Sequence, residues 1–191
     1  PHLDDLRQYR QDLLERVRSG RRFLRFDPAG GGRVVEVFGD LATAEHVAVI
    51  VPGITNTQFG YEDDLGADAA TVWAGAGDLA VIAWLGYDTP GAGWLGESPL
   101  DPAALTVDSA ATGAAELREF VDWLAATRPD AAIAVLGHSY GSVVAATAAV
   151  DGLAADHLFL LGSPGVPLES AAAARLRPGA TVWASTAPGD P

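Results

Sequence analysis

Apolar positions along the chain first recur at helical spacing, then pair across a turn, then gather into short unbroken runs. Between Leu3 and Ser19, Leu6, Leu13, Leu14 and Val17 fall at roughly helical intervals among Arg, Asp, Gln and Glu, and Gly20 follows as a stop. This predicts an amphipathic leading helix over residues 1–20. RFLRF (22–26), a Pro- and Gly-rich turn from Asp27 to Gly32, and RVVEVFG (33–39) predict a β-hairpin. Five runs follow without polar alternation: HVAVIV (46–51), DLAVIAW (78–84), AAIAVLG (131–137), HLFLLG (157–162) and ATVWAS (180–185). Such runs suit parallel strands buried on both faces. Between them, residues 107–126 place Leu117, Phe120, Val121 and Leu124 in one stripe, closed by Arg128-Pro129. Strand, helix, strand in repetition predicts a doubly wound, mostly parallel α/β sheet flanked by helices. With no internal repeat and no linker, residues 1–191 are expected to form one domain.

Composition narrows the function classes. The chain has 191 residues, 49% of them hydrophobic, enough for a sizeable core. No apolar run reaches the roughly 20 residues of a membrane span. All twelve basic residues are Arg, against 25 acids, and the net charge of −13 repels phosphate backbones, so no nucleic-acid partner is expected. Eight of the Arg lie in the first 33 residues beside five acids, making that segment +3 and the remainder −16. A solvated helix face is the expected reading of this asymmetry, and an anionic partner at this segment is the alternative. Zero Cys excludes disulfides, Fe–S clusters and thiolate zinc sites, and four scattered His offer no metal cluster, so neither metal nor cofactor is expected. The chain opens on Pro1 without Met and stops on Pro191, as a fragment of a longer protein would. Its compartment and oligomeric state are open, with cytoplasmic as the default in the absence of a signal peptide.

The sharpest chemical signal is Gly137-His138-Ser139-Tyr140-Gly141, a G-x-S-x-G between a buried strand and the small-residue helix SVVAATAAV. A nucleophile elbow requires a tight strand-to-helix turn, with flanking glycines that let neighbouring backbone approach and a serine lifted clear of the sheet. The helix that follows supplies its N-terminal dipole, and the Tyr140 N–H is a candidate oxyanion donor. A Gly-rich turn with a merely capping serine is the bland alternative.

With this elbow, VPGITNT after the 46–51 strand, AWLGYDTPG after the 78–84 strand and LLGSPGV after the 157–162 strand, the chain resembles the α/β-hydrolase superfamily. More closely, it resembles a family of uncharacterised bacterial α/β-hydrolase domains with a GHSYGS elbow. The resemblance implies an α/β-hydrolase fold and hydrolase chemistry. It also implies that Pro52-Gly53-Ile54-Thr55 is the oxyanion loop, with the N–H of Ile54, or of Thr55 in the neighbouring register, facing that of Tyr140. It places the triad acid at Asp190, past the ATVWAS strand, where an acid would orient the base.

The general base departs from the family pattern, because no His follows Asp190. His46 and His157 start their strands and so belong at the sheet edge opposite Ser139. His138 sits in the elbow pointing away from the serine, and His2 belongs to the leading helix. Either the base lies beyond Pro191 or the domain lacks one.

TNTQFGYEDDLG and YDTPGAGWLGESPLDP follow strands at their carboxyl ends, where loops overhang the site, so Gln58, Tyr61, Tyr87, Asp88 and Trp94 are candidate substrate contacts. Asp63-Asp64 reads as a solvated pair, and Ser163 in GSPG as structural. The expected function is a serine hydrolase acting through an acyl-enzyme on Ser139, with a small-molecule ester, thioester or amide as partner. The alternatives are an acyltransferase with the same nucleophile and a non-catalytic binding module of the same fold.

Overall fold

Among the described residues there are seven strands: β1 (Arg22–Asp27), β2 (Arg33–Phe38), β3 (His46–Val51), β4 (Leu79–Leu85), β5 (Ala132–His138), β6 (His157–Leu161) and β7 (Thr181–Ser185). Besides the helical residues of the leading segment, three α-helices have described bounds: α1 (Leu65–Trp73), α2 (Val107–Thr127) and α3 (Tyr140–Asp151). The computed structural model describes residues 7, 11, 14–16, 18–27, 32–74, 76–91 and 107–187, with backbone only at 107–109. His2, Leu6, Leu13, Val17, Trp94 and Asp190 lie outside the described residues. Residues 7, 11, 14–16 and 18 are helical, in keeping with the expected leading helix, although Leu14 is exposed.

The sheet runs in the order β1-β2-β4-β3-β5-β6-β7, with β1–β2 and β2–β4 antiparallel and the rest parallel. The hairpin and all five apolar runs therefore become strands within a residue or so of their expected bounds. The chain leaves β3 toward β4 on one side and leaves β5 toward β6 on the other. This reversal falls between β3 and β5, at whose carboxyl ends open α/β sheets generally bind their ligands.

One face of the sheet is packed by α2 and α3. Leu117, Val121 and Leu124 of α2 are fully buried against Val35, Ile82 and Trp84, and each such side chain contributes about 1.5–3 kcal/mol. Most of α3 is buried, because its alanines bring it close to both the sheet and α2. The second face is covered over β2, β4 and β3 by Tyr61 and by Leu65 and Ala69, which lie at and within α1. Helix α1 is an addition to the sequence reading, which treated the preceding residues as loop.

The expectation that every apolar run is buried on both faces holds for β3 and β4 but not for β5, β6 and β7. In β5, Ile133 and Val135 are buried while Ala134 and Leu136 are only partly so. Trp183 is 55% exposed and stacks on Phe159, with ring centroids 6.2 Å apart and planes 10° from parallel. No described helix covers this half of the second face.

Candidate active site

The site begins where β5 ends. Ser139 has φ 53° and ψ −125°, a backbone state that non-glycine residues rarely adopt and that persists only where the surroundings impose it. The surroundings do so from three sides. Its N–H donates to Leu161 O of β6 at 2.9 Å, and its carbonyl accepts the Ser142 N–H at 3.0 Å. The two flanking glycines leave no room for a wider turn. A Cβ on Gly137 would lie 2.5 Å from Gly141 O, and one on Gly141 would lie 2.5 Å from Pro52 O.

The Ser139 side chain stands at the N-cap of α3 yet makes no capping hydrogen bond. The bland capping role is thereby excluded, and the hydroxyl sits at the positive end of a helix dipole. A hydroxyl chain braces the turn from behind. The Gly165 N–H donates to Ser163 Oγ at 3.2 Å, Ser163 donates to Ser142 Oγ at 2.7 Å, and Ser142 donates to Ser139 O at 2.6 Å. Ser163 is structural, as expected from the sequence, while the part played by Ser142 was not foreseen.

The loop after β3 presses on the elbow. A Cβ on Gly53 would stand 3.0 Å from Ser139 Cβ and 3.4 Å from its Oγ. Ile54 follows, half-buried, and its carbonyl accepts from Thr55 Oγ1 at 2.7 Å and Asn56 Nδ2 at 3.2 Å. Thr55 has φ 61°, unusual for a β-branched residue, and its N–H donates to Pro90 O at 2.9 Å.

Four of the expected substrate contacts are placed otherwise. Tyr61 is 1% exposed, and its hydroxyl donates to Glu36 Oε2 at 2.7 Å. Glu36, buried on β2, also receives two hydrogen bonds from Arg21, one of them 2.6 Å from Nε. Burial, and next the Glu36 charge, push the Tyr61 phenol far above its ordinary range. Tyr87 is 3% exposed and donates to Pro52 O at 2.7 Å; burial and then the nearby Tyr140 raise its phenol likewise. Gln58 is buried, packed where a Cβ on Gly32 would fall. Asp88 is exposed but bonded by both terminal nitrogens of Arg33 at the start of β2. That strand lies on the far side of β4 from β3, so the pair ties the loop after β4 to the antiparallel half of the sheet. The two tyrosines and Gln58 build the loops rather than their surface, and Trp94, like Asp190, is outside the described residues.

The histidines fall where the strand register requires. His46 opens β3 beside Asp78, with 3.7 Å between Nε2 and Oδ2, and His157 opens β6 with its Nδ1 2.7 Å from Thr181 Oγ1. Both are at the edge opposite the elbow, and His138 is exposed at the end of β5. Glu45, His46 and Asp78 bring their ligand atoms within 4.8 Å of one another, all exposed at that remote edge. Among the described residues, no helix is long and apolar enough to cross a membrane.

The family model described as alpha/beta hydrolase matches residues 27–191. An uncharacterized protein of Mycobacterium tuberculosis, Rv2079, is 37% identical over 179 residues, covering 87% of this chain and 26% of its own length. Another, Mb0988c of Mycobacterium bovis, is 32% identical over 194 residues, covering 93% of this chain and 69% of its own. The chain thus spans about a quarter of the length of the first of these relatives. Among solved structures, a dienelactone hydrolase-like promiscuous phosphotriesterase from metagenomic libraries superposes with a TM-score of 0.56 at 17% identity, covering 90% of this chain and 70% of that one.

Proposed function

Because the chain belongs to the α/β-hydrolase family, we propose that it is a serine hydrolase that cleaves a carboxylic ester, thioester or amide through an acyl-enzyme on Ser139. The observation that carries this reading is the strained, non-capping Ser139 at the mouth of α3, flush against Gly53. Strain of this kind at a helix N-terminus fits a hydroxyl presented to a substrate rather than one consumed by the fold.

In this reading Ser139 Oγ attacks the acyl carbon and passes its proton to a histidine base. The carbonyl π electrons move onto oxygen, and the oxyanion lies between the N–H groups of Ile54 and Tyr140. Of the two register alternatives Ile54 is favoured, since the Thr55 N–H is bound to Pro90 O. The intermediate collapses, the bond to the leaving alcohol, thiol or amine breaks, and the imidazolium returns its proton to that group. Water, deprotonated by the same base, then attacks the ester carbon and releases the acid and Ser139. The base is assigned to a histidine that follows Asp190 in chain order, with Asp190 orienting it. Trp94 is proposed as a substrate contact.

The test is intact-mass labelling of the natural full-length protein with a fluorophosphonate, with Ser139→Ala as control. One adduct on the wild type, absent from the variant, is the expected result. A folded wild type that takes no adduct would overturn the catalytic reading in favour of a binding module.

A further inference from the structure

The loops after β3 and β4 are stitched together by three hydrogen bonds beside the elbow. The Tyr87 hydroxyl donates to Pro52 O at 2.7 Å, the Thr55 N–H donates to Pro90 O at 2.9 Å, and Thr89 Oγ1 donates to Asn56 O at 2.7 Å. From these contacts we infer that Tyr87, assisted by Thr89, is a positioning residue that aims the Gly53–Ile54 peptide at the Ser139 hydroxyl. The inference rests on the serine-hydrolase reading above.

The argument is one of constrained peptide planes. The Pro52 carbonyl is held between Tyr87 and α3, where a Cβ on Gly141 would meet it at 2.5 Å. The Ile54 carbonyl is held by Thr55 Oγ1 and Asn56 Nδ2. The only peptide between these two anchors is Gly53–Ile54, whose N–H is the proposed oxyanion donor. With both neighbouring planes held, reorientation of that N–H is reduced to rotation of this single peptide unit about its Cα–Cα axis, and restraint of this sort is what makes a backbone donor effective.

Tyr87 is itself immobilised. Its ring stacks on Trp84 with centroids 6.0 Å apart and planes at 18°. On α2, a Cβ on Gly113 would lie 2.9 Å from a ring carbon, so the helix has no side chain where the tyrosine sits. A rigid ring seated on a sheet residue and a helix glycine transmits the position of the protein frame to a loop that lacks secondary structure. The Tyr87 hydroxyl stays protonated at all working pH values, because burial raises its pKa, so the donor is permanent.

The decisive experiment compares Tyr87→Phe and Thr89→Val with wild type in the full-length protein, using p-nitrophenyl acetate turnover, fluorophosphonate labelling and amide hydrogen exchange. Tyr87→Phe keeps the ring and removes only the donor. The expected result is a fall in kcat of about tenfold to a hundredfold with KM within about twofold, a matching fall in labelling rate, and faster exchange confined to residues 53–56. Thr89→Val is expected to show the same pattern more weakly, and serves if Tyr87→Phe does not fold. Turnover and exchange unchanged in both variants, beside an active wild type, would overturn the positioning role alone. Loss of turnover explained by KM or by the folded fraction would overturn it as well. A wild type that neither turns over nor labels overturns the hydrolase reading and this inference with it.

Discussion

Gly53 and Ser139 approach each other so closely that a Cβ on the glycine would stand 3.0 Å from that of the serine. The contact joins the loops that leave two neighbouring strands at their carboxyl ends, and a side chain at residue 53 would press directly on that of Ser139. Gly53→Ala is expected to lower the rate of fluorophosphonate labelling at Ser139 by about tenfold or more. The melting temperature should fall by only a few degrees, since Gly53 has an ordinary φ and the loop can yield outward. Unchanged labelling kinetics would show that the loop does not touch the reacting centre.

Gly137 and Gly141 face backbone atoms, which cannot swing aside. Alanine at either is expected to destabilise the fold by about 3 kcal/mol or more, because strand, helix and loop must move apart together. Gly152→Ala offers a contrast: its added Cβ meets nothing within 4 Å, and only the φ of 110° opposes it, at about 1 kcal/mol. Urea denaturation of the three variants separates crowding from backbone strain.

Arg21 neutralises Glu36, a carboxylate that is 2% exposed. Removing one partner of a buried pair leaves an uncompensated charge, so Arg21→Ala is expected to cost about 3 kcal/mol in urea denaturation. Turnover per folded molecule should not change, since the pair lies on the face carrying α1, away from α3.

Tyr61 and Tyr87 should resist ionisation in the native state, because burial, aided by Glu36 for Tyr61, raises both phenols. The folded pKa lies above the unfolded one, so their contribution to stability is complete below about pH 10 and declines as pH rises beyond it. The unfolded chain then binds fewer protons than the native one. Unfolding free energy is expected to drop above pH 10 by about 1.4 kcal/mol per pH unit per tyrosine. Absorbance at 295 nm during alkaline titration should show these two phenolates appearing only with unfolding.

The tight turn at Ser139 was legible in the sequence because its geometry dictates side-chain size: a Cβ at Gly137 or Gly141 would meet backbone at 2.5 Å or less. The strands were legible for a similar reason, since after His46 and Asp78 the runs VAVIV and LAVIAW contain almost nothing that water could favour. Direction was not legible. Tyr61 and Tyr87 stand in loops at the carboxyl edge, where a tyrosine turned outward to a substrate and one turned inward to Glu36 or Pro52 have the same local sequence. Helix α1 escaped notice because it buries only Leu65, Gly66 and Ala69 over its nine residues, too little to impose a clear period. The partial exposure of Phe159 and Trp183 was equally hidden, because an apolar run says that a strand prefers cover and not that a described element provides it.

The last pair in the register of β3 with β5 is Val51 and Gly137, one residue before the Pro52–Thr55 loop and two before Ser139. The gap between Ser139 and Gly53 is therefore gauged by a ladder of backbone bonds, in the way a jig holds two tools at a set spacing. Changes in chain length elsewhere in the molecule leave that spacing where the ladder sets it.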